Sequence, residues 1–140
     1  MLTSEEIAAA REDMAAELLD TVTVWADTGA TILDEVTFEE LPVWAKVYNQ
    51  IPALVVIEVP RDRPHTEAGE PIIVRVYVVT LTVDRLVESG HIIVVDASHD
   101  DATQAAVMTV RGQRHGSLSI SRKVVAQENL TVPRFVPEGA

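Results

Sequence analysis

The segment that decides the fold is GEPIIVRVYVVTLTVDRLVESGHIIVVDAS, residues 69–98. Two runs rich in valine and isoleucine, residues 72–84 and 91–97, flank a polar connection. β-Branched residues favour strands, and Gly90 permits the turn that opens the second run. The first half of the first run is apolar on both faces except at Arg75. This pattern indicates a strand at the centre of a sheet or one buried between subunits.

Shorter strands are predicted on both sides of this segment. Thr28 and Gly29 are predicted to form a turn, and Pro52 is predicted to mark a bulge or a bend because proline cannot donate to a strand ladder. Short strands at such regular spacing are typical of barrels and sandwiches. The fold class is therefore predicted as mainly β, a small β-barrel of six to eight strands. The apolar runs that predict the other strands are residues 21–27, 32–40, 42–49, 53–59, 105–111 and 118–128.

Residues 3–20 are predicted to form an N-terminal helix. Thr3 can cap this helix and Glu6 stands three residues later, which is the capping-box pattern. The apolar stripe of the helix is thin, so we expect it to pack weakly on its own domain. Two interpretations stay open: a helix that covers one end of the sheet, or an arm that docks on a neighbouring subunit. For the second, the candidate contact residues are Ile7, Met14 and Leu18.

The rest of the chain divides into a β domain and a tail. The helical arm, residues 1–20, precedes the β-barrel domain, residues 21–130, and an extended tail, residues 131–140, follows it. Inside the β domain, residues 60–71 (PRDRPHTEAGEP) lack apolar periodicity and predict a long exposed loop. Long loops in compact domains are often functional. The tail offers two further candidate contact residues, Arg134 and Phe135.

The acidic charge of the chain is concentrated at its N-terminal end. The formal net charge is -11, and residues 1–40 carry eleven acidic side chains against one basic side chain. The remaining residues carry eleven against ten. Tight non-specific DNA binding needs several Lys or Arg side chains that neutralise phosphates, so the acidic end argues against it. Such a surface either meets a basic partner or repels DNA.

Several classes of protein are excluded or disfavoured by composition. The chain contains no cysteine, which excludes disulfides, thiolate metal sites and cysteine nucleophiles. It has no run of about 18 apolar residues for a membrane span, and charges lie where a signal peptide would be apolar. The sequence therefore predicts a soluble intracellular protein without a membrane partner.

No group of residues in the sequence predicts an enzyme, a metal site or a cofactor site. The cluster His99-Asp100-Asp101 resembles a hard-cation site, but the spacing of an EF-hand is absent and a solvated turn is favoured. The serines within residues 117–121 lack a nucleophile elbow, and no glycine-rich phosphate loop is present. The scattered Lys and Arg side chains have no aromatic platform beside them.

Two segments of the chain resemble a known family. They are AGEPIIVRVYVVTLTVDRLVESGHIIVVDAS, residues 68–98, and AAVMTVRGQRHGSLSISRKVVAQEN, residues 105–129. Over residues 20–130 the pattern is similar to that of the head-completion proteins of actinobacterial siphophages, also named head-closure, stopper or head-to-tail connector proteins. The residues that carry the resemblance are Ala68-Gly69 after a loop, Tyr77 in a strand, Gly90 before the next strand, Asp100 and Asp101, Val110-Arg111 at a strand end, the turn Gly116-Ser117, and Arg122 in a basic last strand.

The resemblance implies a structural virion protein, a small β-barrel protomer that assembles into a dodecameric or hexameric ring at the phage neck. The ring would lie between the portal-bound adaptor protein and the tail terminator or tail tube. It would close the filled head and let packaged double-stranded DNA pass through its lumen without sequence specificity. Its location would be the virion, and the host cytoplasm during assembly. The loop of residues 60–71 would narrow the channel, with candidate gate residues Arg61, Asp62, Arg63, His65, Glu67 and Glu70.

Two other functions stay open. One is a different component of the same neck, an adaptor or a tail terminator, but adaptors are dominated by helices and terminators commonly have an α/β sandwich. The other is a nucleic-acid-binding barrel of the oligonucleotide-binding type. That barrel needs basic and aromatic residues on one sheet face, whereas only 4% of this chain is aromatic. A small enzyme is disfavoured.

Overall fold

The computed structural model describes residues 3–58, 65–67, 70–72, 74–114, 121–129 and 134–139. Within these residues the fold is mainly β with one α-helix near the N-terminus, which confirms the predicted class. A short 3-10 helix, Asp101–Thr103, lies late in the chain. The elements are α1 (Ser4–Ala16), β1 (Asp20–Leu33), β2 (Glu40–Glu58), β3 (His65–Glu67), β4 (Glu70–Ile72), β5 (Val76–Thr82), β6 (Ile92–Ala97), β7 (Val107–Arg114), β8 (Ser121–Glu128) and β9 (Val136–Pro137).

The helix α1 begins with the predicted capping box. The Thr3 side chain accepts a hydrogen bond from the Glu6 N–H, and the Glu6 carboxylate accepts one from the Thr3 N–H. This exchange satisfies two backbone donors that a helix N-terminus otherwise leaves unpaired. No residue of α1 is fully buried. The helix therefore packs weakly on the rest of the chain, as its thin apolar stripe predicts.

Seven strands form one sheet whose pairings close on themselves. Neighbouring strands follow the order β1–β6–β7–β8–β5–β2, and β2 pairs with β1 as well. All of these pairings are antiparallel, whereas β9 joins β2 as a parallel neighbour. The strands β3 and β4 form a separate two-stranded ribbon. The circuit gives each of its six strands two partners over part of its length, which limits exposed strand edges.

The core lies on one face of the strands in this circuit. In β5, the side chains of Tyr77, Val79 and Leu81 are at most 1% exposed, and the residues between them are half-buried. Successive residues of a strand point to opposite faces, so only one face of this central strand is fully buried. Core residues on the other strands are Val22, Val24, Ile51, Ala53, Val55, Ile93, Val95, Met108, Val110, Val124 and Ala126.

Strand β2 changes its partner at a bend. Its first part pairs with β1, and residues 54–58 pair with β5. Gln50 has a φ of 48°, in the left-handed region that residues other than glycine rarely adopt. The register between β1 and β2 shifts beside it, between Val22 and Val24. The irregularity predicted at Pro52 is thus present, and it lies two residues before the proline.

The connection between β5 and β6 contributes a residue to the core. Val87 is 0% exposed, whereas its neighbour Leu86 is 52% exposed. The Tyr48 phenol oxygen accepts a hydrogen bond from the Leu86 N–H at 3.0 Å, and the Arg85 guanidinium lies 5.0 Å from the centre of the Tyr48 ring. The sequence pattern predicts only a polar connection here, so it does not reveal the burial of Val87.

The predicted turn at Thr28 and Gly29 is wrong, because β1 continues through these residues. The Asp27 carboxylate accepts a hydrogen bond from the Gly29 N–H, and the Thr28 hydroxyl accepts one from the Ala30 N–H. These local bonds replace pairing with β2, whose register with β1 is interrupted between Asp27 and Thr31. The chain therefore bulges without reversing its direction.

Several predicted boundaries also differ from the structure. The strand predicted at residues 32–40 is wrong, because residues 34–39 connect β1 to β2, and the strands predicted at residues 42–49 and 53–59 are parts of one strand, β2. The helix α1 ends at Ala16, because the chain turns into β1 at Asp20. The strand β5 begins at Val76 and not at residue 72, since Ile72 belongs to β4. The segment predicted as a long loop contains the paired strands β3 and β4, where His65 lies opposite Ile72.

Candidate functional site

A hairpin arm extends from the closed circuit of strands. The strand β1 pairs with β6 only as far as Trp25, but it continues to pair with β2 as far as Leu33. Beyond Trp25, β2 is the only strand paired with β1 in the part of the chain that the structure describes. We call residues 27–44 the hairpin arm and residues 32–40 its tip.

The tip of the arm carries a concentration of exposed apolar side chains. Ile32 is 48% exposed, Leu33 is 54%, Val36 is 86% and Phe38 is 77%. Four large apolar side chains are thus exposed within seven residues of chain. Their contact with water is energetically unfavourable. Exposed apolar patches on a protein surface typically mark an interaction site. The tip is therefore the strongest candidate interaction surface of the described chain.

The turn at the tip is held by hydrogen bonds to Asp34. Its carboxylate accepts one from the Val36 N–H at 2.9 Å, its carbonyl accepts one from the Phe38 N–H at 2.8 Å, and its N–H donates to the Glu39 carbonyl at 2.8 Å. Phe38 has a φ of 59°, a strained conformation for an aromatic residue. Strained backbone at an exposed turn often accompanies function, and here it presents the Phe38 ring to solvent.

The tip is also acidic. Asp34, Glu35, Glu39 and Glu40 surround its apolar side chains. Arg134, from the tail, contacts two of them: its guanidinium lies 3.4 Å from the Asp34 carboxylate and 3.2 Å from the Glu39 carboxylate. The Val36 N–H, the hydrogen bonds from Thr37 and the Arg134 charge lower the pKa of Asp34 below its ordinary value. The tip therefore stays negatively charged at neutral pH.

An aromatic cluster lies at the base of the arm. Phe135 stacks on Trp44 with ring centroids 4.3 Å apart, and it contacts Trp25 at 4.9 Å with the ring planes tilted by 57°. The Lys46 ammonium lies 5.2 Å from the centre of the Trp25 ring. A cleft of ≈320 Å³ adjoins this cluster, and Thr23, Asp96 and Gln50 are among the polar residues that line it. The cluster anchors the arm to the sheet and to the tail.

A buried carboxylate joins β1 to two other parts of the chain. The Asp20 side chain is 0% exposed and accepts hydrogen bonds from the Val55 N–H and the His99 N–H, each at 2.7 Å. The His99 ring nitrogen Nδ1 lies 2.7 Å from the same carboxylate. Burial raises the pKa of Asp20, but these hydrogen bonds lower it by more, so it lies below its ordinary value of 3.8. These bonds join the start of β1 to β2 and to the loop after β6.

Comparison with known proteins identifies a family but no function. Residues 10–127 match the model of a family of unknown function (DUF6093). The chain belongs to the DUF6093 family. No curated protein and no solved structure matches it. The part of this DUF6093 chain that matches includes the whole hairpin arm, whereas Arg134 and Phe135 lie outside it.

Three of the six predicted gate residues fall outside the described structure of this DUF6093 chain. Arg61, Asp62 and Arg63 lie outside the described residues. His65, Glu67 and Glu70 belong to the ribbon of β3 and β4, in which Glu67 lies opposite Glu70. The gate role of these six residues stays a prediction.

Two of the three contact residues predicted for the helix, Ile7 and Met14, lie in α1, whereas Leu18 follows the end of α1 at Ala16. Ile7, Met14 and Leu18 are half-buried, and Met14 lines a cleft that is also lined by Thr82 and Val83 at the end of β5. This arrangement agrees with a helix that covers one end of the sheet. A contact between these residues and a neighbouring subunit stays a prediction.

The predicted contact residues of the tail bind within the chain. Arg134 pairs with the tip of the arm and Phe135 packs on the tryptophans at its base. The next residues form β9, in which Val136 lies opposite Val43. The tail therefore docks along the arm, and any contact that it makes with a partner would include the arm.

The sequence reveals the hairpin tip only weakly. Its turn, between Leu33 and Glu40, contains no glycine, proline or asparagine, which are the residues that usually signal a hairpin. The one available signal is the placement of Val36 and Phe38 between pairs of acidic residues. That placement is a weak signal, and the alternation across residues 32–40 predicts a strand there instead of a turn.

The cation-site residues singled out in the sequence make structural contacts. His99 bonds to Asp20, and the Asp100 carboxylate accepts a hydrogen bond from the Ala102 N–H at 2.9 Å at the start of the 3-10 helix. Among the described residues, no helix is long and apolar enough to cross a membrane.

Proposed function

We propose that this DUF6093 protein is a structural protein of the phage neck, a barrel-shaped protomer that assembles into a dodecameric or hexameric ring. The ring would lie between the portal-bound adaptor protein and the tail, where it would close the filled head and join it to the tail. The proposal builds on the resemblance to head-completion proteins and on the hairpin arm. In this function the chain acts through its surfaces, and no catalysis is required of it.

The observation that carries the proposal is the exposed apolar tip. An isolated protomer would expose Val36 and Phe38 to water, where they favour aggregation. Burial of an apolar side chain of this size is worth about 1.5–3 kcal/mol. In a ring, each protomer presents two different surfaces to its two neighbours, and an arm that reaches across a subunit boundary would bury its tip. The arm therefore fits a protomer that is built to be assembled.

The closed circuit of strands supports the scaffold part of the proposal. We infer that β1, β6, β7, β8, β5 and β2 make a small barrel, because their pairings return to the first strand. Residues such as Tyr77 and Leu81 fill its interior, as side chains do in small barrels. DNA could therefore pass only along an axis shared by several protomers.

The charge of the arm supports a neck location as well. Acidic side chains near a DNA channel repel phosphates and let the duplex slide without sticking. Asp34, Glu35, Glu39 and Glu40 place such charge on an extended element. The gate role of residues 60–71 is part of this proposal, with the short ribbon of β3 and β4 as the element that would reach into the lumen.

The structure gives little support to the alternative function, a nucleic-acid-binding barrel of the oligonucleotide-binding type. Base stacking on such barrels needs exposed aromatic rings. Trp25 and Trp44 are 8% and 6% exposed, and Phe135 packs against both. Phe38 is exposed, but it lies between acidic residues that repel phosphates. Another position in the neck, as adaptor or tail terminator, is compatible with an exposed arm, but neither class is as rich in strands.

The test is a change of the tip in a phage that encodes this chain. We expect the double substitution Val36→Ser with Phe38→Ser to leave the protomer folded but to accumulate filled heads without tails. The matched control is Val47→Ser, since Val47 is 37% exposed on β2 beyond the arm. Infectious particles at the normal yield from the double variant would reject the role of the arm in joining head to tail.

A further inference from the structure

The outer surface of the sheet carries a row of valines. Val56 on β2 lies opposite Val78 on β5, and Val78 lies opposite Val125 on β8. Residues that face each other across antiparallel strands point to the same side of the sheet. The neighbouring row, Val55 and its partners, is buried in the core, so the row of Val56, Val78 and Val125 points outward. We call these three residues the valine face.

The valine face is apolar in its middle and exposed at one side. Val56 is 48% exposed, and Val78 and Val125 are half-buried. The helix α1 lies against another part of β5, where Met14 and Thr82 line a common cleft. An outward row of three β-branched side chains on adjacent strands is a flat apolar surface that a partner can cover.

Basic side chains flank this row. Lys123 is exposed and lies two residues from Val125, on the same side of β8. Arg111 is exposed and donates a hydrogen bond from Nε to the Gln127 side chain at 3.0 Å. Gln127 lies two residues from Val125 in the other direction. Positive charge therefore flanks the β8 part of the valine face on both sides, whereas Glu58 on β2, two residues from Val56 and opposite Val76, places a negative charge at the β2 margin.

The tip of the hairpin arm has the complementary arrangement. Its apolar side chains Val36 and Phe38 lie between acidic residues, with Glu35 on one side and Glu39 and Glu40 on the other. A tip that is apolar in the middle and acidic at its margins matches the β7–β8 side of the valine face, where Lys123 and Arg111 border the apolar row. Such complementary charge fixes the register of a contact and favours the correct partner.

We propose that the hairpin tip of one copy of this chain docks on the valine face of a second copy. The proposal rests on the proposed function and names the contact by which the ring would form. Tip and face are different surfaces of the chain, so the contact is head-to-tail. Repetition of a head-to-tail contact generates a ring when the rotation between copies closes.

The first test reverses one charge on each surface. Glu35→Lys places a lysine at the tip opposite Lys123, and Lys123→Glu places a glutamate on the face opposite Glu35. Each variant alone should associate about tenfold more weakly than the unchanged chain, because like charges then meet at every contact. An equal mixture of the two variants should associate again, since opposite charges meet at every contact when the two alternate around an even-numbered ring.

Light scattering over a series of protein concentrations measures the mass of the assemblies in solution, and this mass decides the test. Restored association in the mixture, with weak association of each variant alone, supports the proposal. A mixture as weak as its components overturns it. An unchanged chain that stays monomeric at the highest concentration it tolerates also overturns it, and the tip then has a different partner.

The second test uses the absence of cysteine from the chain. Val36→Cys and Val56→Cys each introduce a single thiol, one on the tip and one on the face. Mixed under mild oxidation, the two variants should form a disulfide-linked dimer of one copy of each. The control replaces Val56→Cys by Ala97→Cys, on exposed residue 97 of β6. Equal cross-linking in the control mixture would overturn the proposal.

Failure of this contact and failure of the neck function can be told apart. If the chain forms a ring in phage particles but the tip and face do not cross-link, the contact is wrong and the neck function stands. If the tip and face cross-link but the chain is absent from particles, self-association stands and the neck function is wrong.

Discussion

Phe135 stacks on Trp44 with ring centroids 4.3 Å apart and ring planes within 10° of parallel. The stack places the C-terminal tail on the base of the hairpin arm. One residue earlier, Arg134 pairs with two carboxylates at the tip, and one residue later Val136 pairs with Val43. The arm and the tail thus form a single unit, in which the tail braces an element that has few other contacts.

The substitution Phe135→Ala should release the tail and destabilise the chain. The loss of contacts with Trp25 and Trp44 should lower the free energy of unfolding by about 2 kcal/mol, as urea denaturation would measure. The exposed residue Glu138 provides the control, and Glu138→Ala should change stability by at most about 0.5 kcal/mol. Trp25 and Trp44 are the only tryptophans, so fluorescence reports on this cluster directly. An unchanged spectrum in Phe135→Ala would contradict the stack.

The buried carboxylate of Asp20 should make stability dependent on acidic pH. Its folded-state pKa lies below 3.8, so the ionised carboxylate stabilises the fold fully above about pH 5. That contribution is lost as the pH falls through 3.8 towards the folded-state pKa. The substitution Asp20→Asn should cost about 2–3 kcal/mol at neutral pH, because an amide cannot accept all three hydrogen bonds.

Measurement of urea midpoints from acidic to neutral pH tests this prediction. Asp20→Asn should flatten the loss of stability in acid relative to the unchanged chain. The control Asp101→Asn alters an exposed carboxylate of the 3-10 helix and should keep the same acid dependence. If both variants lose stability in acid as steeply as the unchanged chain, Asp20 is not the group responsible.

Two adjacent residues in the connection between β5 and β6 should differ in how much their truncation destabilises the chain. Val87→Ala should cost about 2 kcal/mol, because it leaves a cavity in the core. Leu86→Ala should cost at most about 0.5 kcal/mol, since Leu86 is 52% exposed. The pair can be measured by thermal and urea unfolding of the purified chain. Equal losses of stability in the two variants would show that Val87 is not buried in the core while Leu86 is exposed.

The sequence predicts the elements with strong local signals and misses those that depend on tertiary context. The capping box of Thr3 and Glu6 and the run rich in valine and isoleucine that contains β5 are local patterns, and the helix cap and the strand are both found in the structure. The burial of Val87 depends on where the connection between β5 and β6 packs against the core, which no local pattern encodes. The continuation of β1 through Gly29 depends on pairing with a strand more than ten residues away.

In the candidate site, too, the sequence identifies some residues, whereas their contacts depend on the tertiary fold. The tail residue Phe135 is singled out by its sequence, but its partners Trp25 and Trp44 become neighbours only through the parallel pairing of β9 with β2. The tip is hidden in the sequence because its turn lacks glycine and because Phe38 adopts a positive φ. Only the fold shows that Val36 and Phe38 are left exposed.

The predicted gate should control the retention of DNA in filled heads. Replacement of residues 61–70 by a Gly-Ser segment of equal length should leave the ring intact but let DNA leak from the heads, because the side chains that narrow the channel are gone. The DNA that stays protected from nuclease in purified particles measures this leak. Full protection, with the ring still assembled, would reject the gate role.

The central claim, that copies of this chain surround the axis of a phage neck, is tested most directly by averaged electron-microscope images of intact particles. We expect a ring between portal and tail. The six paired strands β1, β6, β7, β8, β5 and β2 should fit into the density of each repeating unit of this ring. Mature particles whose neck contains no density for this chain, and whose protein content lacks it, would contradict the claim.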